Sequence, residues 1–132
     1  MRSAIALIVA AVLAGCATVP DPAAEQQAAL LASLVPTCKE AKECEVKWAA
    51  ARDWVIDHAG MKLQNIQPDY MDTYNPPDSG TELAVMVRKM PQADGSYKIV
   101  ARVWCDNWLG CIPMSPTDAT LDFDRTVTAA YK

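Results

Sequence analysis

The chain has 132 residues, with 12 basic and 16 acidic side chains and one histidine, for a formal charge of −4 at neutral pH. That length sets one small domain, and the mildly acidic balance argues against nucleic acid and against a polybasic grip on anionic lipid. Because His58 is the only histidine, every triad or histidine–metal scheme has to run through it.

At the start, Arg2 is followed by an apolar run from Ala4 to Leu13, which closes in Leu13-Ala14-Gly15-Cys16. One early positive charge, a short apolar stretch and small residues at its end make residues 1–15 a secretory signal peptide, too short to span a bilayer as a mature helix. The cysteine directly after Leu-Ala-Gly resembles the bacterial lipobox. That resemblance implies that Cys16 is acylated on its thiol, becomes the first mature residue and ties the chain to a membrane. Neither Ala17 nor Thr18 is the aspartate associated with inner-membrane retention in enteric bacteria, so the implied address is the periplasmic face of the outer membrane. Removing residues 1–15 leaves about 117 residues and takes the charge to about −5, since Arg2 is the only charged residue lost.

Residues 16–36 read as the acylated N-terminus and a tether. Pro20 and Pro22 bar a regular helix across them, whereas Ala23 to Leu34 are mostly good helix formers, with Leu30, Leu31 and Leu34 along one edge. A helix this short is marginal alone in water and needs something to dock on.

Residues 37–132 read as the globular domain. From Lys42 to Ala59 the apolar residues Cys44, Trp48, Ala51 and Val55 recur at three- and four-residue steps. They predict a core helix with Trp48 inward, Trp54 and His58 flanking, Glu43 and Lys47 paired on the exposed side, and Gly60 as the stop. Beyond Gly60 the period becomes alternating. Met61 to Tyr74 reads as a strand broken or bulged near Pro68, and Asn75 to Gly80 as a turn. Leu83, Val85 and Val87, then Tyr97, Ile99, Ala101 and Val103, alternate on either side of Asp94-Gly95, which predicts an antiparallel hairpin. Ser115-Pro116 is a helix-start signal; Leu121, Val127 and Tyr131 give the following helix a narrow apolar edge with Phe123 beside it. The threonines from Thr117 to Thr128 leave an extended tail as the alternative. This order gives an α+β domain, with helices packed on one face of an antiparallel sheet of three or four strands.

With Cys16 assigned to lipid, Cys38, Cys44, Cys105 and Cys111 remain, an even number in an exported chain. Three pairings are possible, and proximity favours Cys38–Cys44 and Cys105–Cys111. Six residues of continuous helix rise about 9 Å, too far for a disulfide, so the local pairing requires Cys38 to precede the helix. Five-residue gaps and an oxidising compartment both count against structural zinc, and no metal or cofactor is expected.

A hydrolase would need His58, a carboxylate such as Asp53, Asp57 or a distant one to orient it, and one of Ser33, Ser79, Ser96 or Ser115 to attack; none of these serines sits in a nucleophile-elbow context. The better pointer is aromatic. Trp104 falls on the strand face opposite Val103, and Trp108 lies between Cys105 and Cys111 beside Asp106 and Asn107. A disulfide-closed loop presenting Trp108, Asp106 and Asn107, with Trp104 nearby, is a candidate partner-contact site whose ordering cost is met on folding. Alternatively Trp108 covers the disulfide and the sheet edge. A groove shared by Trp104, Trp108 and Tyr97 would favour contact.

Cys44-Glu45-Val46-Lys47-Trp48, His58-Ala59-Gly60, Thr73-Tyr74-Asn75-Pro76 and the run from Trp104 to Cys111 together resemble an uncharacterised group of small proteobacterial lipoproteins. The resemblance implies an envelope address and brings no activity or catalytic residue with it. Three classes follow: a non-enzymatic binding or accessory module for an envelope protein or cell-wall component, a structural subunit of an outer-membrane assembly, and a small hydrolase using His58.

Overall fold

In the computed structural model, residues 21–132 are described; the leader and Cys16 lie outside the described residues. Helix α1 (Pro22–Leu34) starts where the Asp21 carboxylate accepts the Ala23 N–H at 3.0 Å, with Pro22 in the first turn. It docks on the last helix, α3 (Pro116–Ala129), with Leu31 and Leu34 half-buried. Pro36 is buried behind it, and its carbonyl accepts the Ile99 N–H at 2.8 Å. Strand β1 (Thr37–Cys38) then precedes helix α2 (Ala41–His58).

Sheet order is β1-β5-β4-β3-β2, antiparallel throughout, from β2 (Leu63–Ile66), β3 (Tyr70–Thr73), β4 (Ala84–Pro91) and β5 (Tyr97–Trp104). Two elements raise the strand count above the expected three or four. The stretch around Pro68 reverses direction, with the Gln67 N–H donating to the Tyr70 carbonyl at 2.7 Å, so one interrupted strand becomes a hairpin. Thr37 and Cys38 add a short edge against Lys98 and Tyr97. Hairpin β4–β5 pairs from Ala84 with Trp104 to Pro91 with Tyr97, and Gly95 supplies the left-handed turn residue at φ +82°.

Helices α2 and α3 pack against each other on one sheet face, over Met71, Leu83, Val85, Val87, Ile99 and Val103. Here the tryptophan assignment is corrected. Trp54 is the core residue, 2% exposed, while Trp48 is only half-buried. The reason is tertiary: α3 brings Phe123 edge-on to Trp54 at 5.3 Å, and Asp122 accepts the indole N–H at 2.8 Å, so the buried stripe of α2 rotates toward its neighbour. On α3 the buried stripe is Ala119, Phe123 and Val127; Leu121 is half-exposed and Tyr131 exposed. That helix forms despite its threonines because the Ser115 hydroxyl oxygen caps it, accepting the Asp118 N–H at 3.1 Å, and because Ala119, Phe123 and Val127 are buried against the core.

Two smaller expectations also change. Lys47 is buried rather than surface-exposed, donating to the Thr37 carbonyl and the Glu43 carboxylate at 2.7 Å each. That hydrogen bond from Lys47, then one from the Lys39 N–H, holds the Glu43 carboxyl below its usual range. Gly60 follows the Ala59 cap without a left-handed turn; it is small because a Cβ there would lie 2.7 Å from the Glu82 Cβ.

Candidate functional site

Both local disulfides are present. Cys38 and Cys44 join with Cα atoms 5.0 Å apart, and Cys38 lies in β1 ahead of α2, as the helix rise requires. Cys105 and Cys111 join at 5.7 Å, closing the loop after β5. Neither pair leaves a free thiolate for a metal.

That second loop is fixed at its base from several directions. The Asp106 N–H donates to the Gly80 carbonyl at 3.1 Å, while the Asp106 carboxylate accepts the Ser79 N–H at 3.1 Å. Asn107 donates through its side-chain amide to the Ser79 carbonyl at 2.7 Å and accepts the Leu109 N–H at 2.9 Å. On the far side of the disulfide, the Ile112 N–H donates to the Thr81 carbonyl at 2.9 Å. Gly110, at φ +121°, allows the tight return that an L side chain would resist. Asp106 and Asn107 therefore brace the loop against the segment around Ser79, with Asp106 itself still exposed.

What the scaffold presents is apolar. Trp108 is 89% exposed, with Leu109 at 76% and Ile112 at 66%. Such exposure overturns the alternative in which Trp108 covers the disulfide. Leu109 and Ile112 were not singled out in the sequence, although their place in and beside a short cysteine loop was a usable signal. Trp104, half-buried, stands on the sheet face away from the helices, beside the Arg102 guanidinium at 5.3 Å. Tyr97 sits at the opposite end of β5 on the helix-facing side, so the three aromatics do not share a groove.

His58 stacks on Trp54 with ring centroids 4.7 Å apart, its Nδ1 3.0 Å from the Trp54 carbonyl and its Nε2 3.9 Å from Asp122. The distant carboxylate that a hydrolase would need thus comes near His58 but stays outside hydrogen-bond reach. The hydroxyls of Ser33, Ser96 and Ser115 instead donate to Leu30, Asp94 and Asp118. Asp122 is also occupied by the Trp54 indole, so His58 and Asp122 work as the rim of a packed aromatic cluster. No protein-family model, curated protein or solved structure shows significant similarity to the chain.

Proposed function

We propose that this chain is a lipid-anchored protein of the outer membrane's periplasmic face, acting as a non-enzymatic binding or accessory module through the loop tipped by Trp108. The observation that carries the reading is a tryptophan 89% exposed on a loop that a disulfide and hydrogen bonds to Ser79, Gly80 and Thr81 already hold still. Burying the indole and the Leu109 side chain against another protein gains about 2–3 kcal/mol each, with little loop entropy left to lose. The partner is another envelope protein with an apolar pocket for the indole. Leu13-Ala14-Gly15-Cys16, by its likeness to the lipobox, supports the anchor, and two disulfides fit an oxidising compartment.

Capture from detergent-solubilised envelopes, using the full chain with its native anchor, tests the reading. Trp108→Ala is expected to lower partner recovery while leaving unfolding stability within about 0.5 kcal/mol of the parent. Equal recovery at equal stability would remove the loop from the interface. For the anchor, Cys16→Ser is expected to abolish fatty-acid labelling, and label surviving that change would defeat the lipoprotein reading. A partner that stays at fixed stoichiometry through gel filtration would identify a structural subunit of an assembly.

A further inference from the structure

The helix layer stops short of the β2 edge. Ile66 is register partner to Met71 on the helix-facing side, yet Ile66 is 57% exposed while Met71 is fully buried. The space left between α2 and the turns of hairpins β2–β3 and β4–β5 is an open groove of about 880 Å³. Trp48 of α2 and Tyr97 of β5 stand over it, and Lys89 of β4 reaches up between them. The Lys89 ammonium lies 5.7 Å from the Trp48 ring centroid and 5.5 Å from that of Tyr97. Both distances suit a cation held against aromatic rings.

Charge in this groove runs against that of the chain. Lys39, Arg52 and Lys89 line it with Glu45 as the one acidic side chain, although the whole sequence carries −4. Glu45 is engaged with Lys42 at 3.7 Å, and Arg52 with its neighbour Asp53 at 3.4 Å. Among the described residues no carboxylate lies within 4.0 Å of the Lys89 ammonium. The Trp48 and Tyr97 rings flank it, and Lys89 is half-buried between them. A cation placed this way gains more from an arriving anion than a freely solvated lysine does.

We infer that this groove is a binding site for a short apolar peptide ending in a free carboxylate, with the carboxylate on Lys89 and the side chains over Trp48 and Ile66. A carboxylate matches the single central ammonium. Around that ammonium the lining includes Ala41, Ala49 and Pro68, which suit apolar side chains next to the carboxylate. Arg52 and Lys39 at the margins steer the anion inward. The site is separate from the Trp108 loop and does not depend on the lipid anchor.

The test is titration of the full chain with acetylated tripeptides of alanine and leucine, each as the free acid and as the C-terminal amide. Heat release gives affinity, and the Trp48 indole N–H resonance reports location. Saturable binding of at least one acid at millimolar or lower concentration is expected, with the Trp48 resonance shifting and the matching amide about tenfold weaker. Lys89→Gln is expected to erase the difference between acid and amide, and Lys89→Arg to keep it. Among the described residues the Lys89 ammonium bonds no backbone group, so both variants should fold; their melting temperatures check this. Equal binding of acid and amide, shifts confined to other tryptophans, or no saturation by any acid would overturn the assignment. Inorganic phosphate binding at Lys89 in place of the peptide acids would overturn the ligand class.

Discussion

Asp124 is the most demanding place to test the packing. It lies on α3, 4% exposed, where α1 docks, bordered by Leu31, Val35, Val103 and Thr120. Lys47, Arg125 and Thr128 lie on its other side, but no cation among the described residues comes within 4.0 Å of its carboxylate. Burial pushes its carboxyl up from 3.8 to about 6. The charged form is thus disfavoured in the fold and free in the unfolded chain. Stability from this group is fully present below 3.8 and is lost as pH rises through about 6, a change worth about 3 kcal/mol. Asp124→Asn keeps the shape and removes the titration. Urea unfolding between about pH 4 and pH 7.5, followed by tryptophan fluorescence, is expected to show the variant near the parent at the acid end. Near neutrality the variant is expected to be more stable by up to about 3 kcal/mol. Two curves that run parallel across that range would refute the placement of a desolvated carboxylate beneath α1.

Glu43 titrates in the opposite direction: its lowered carboxyl contributes stability above its ordinary value of 4.5, which is lost on further acidification, and Glu43→Gln should remove that acid-side loss. A non-reduced peptide map is expected to join Cys105 to Cys111 within one fragment, and replacing both with serine should cost about 2 kcal/mol in urea unfolding. Trp54→Ala removes the core indole with its hydrogen bond to Asp122 and its edge contact with Phe123 and should cost about 3–5 kcal/mol, whereas the half-buried Trp48→Ala should cost clearly less. Equal losses for the two tryptophans would show that the buried stripe of α2 had been placed wrongly.

Several features were legible from local sequence because their causes are local. Six-residue separations bring paired cysteines within reach wherever the intervening chain turns back, so proximity favoured the local pairing that the structure shows. Alternation around Asp94-Gly95 defined β4 and β5, since the face turned to the helices must be apolar. Ser115-Pro116 marked the start of α3 because capping involves only the first turn. The spacing around Cys44 allowed more than one buried stripe, and only the arrival of α3 selected Trp54 over Trp48. That Asp106 and Asn107 brace the loop was not legible locally, because their partners, Ser79 and Gly80, lie more than twenty-five positions back in the chain. Nothing near Lys89 in sequence announces its aromatic neighbours either, because Trp48 and Tyr97 come from a helix and another strand. Periodicity within one element states how much surface must be buried; which side chains end up covered, clamped or left facing a groove depends on the elements that pack against it.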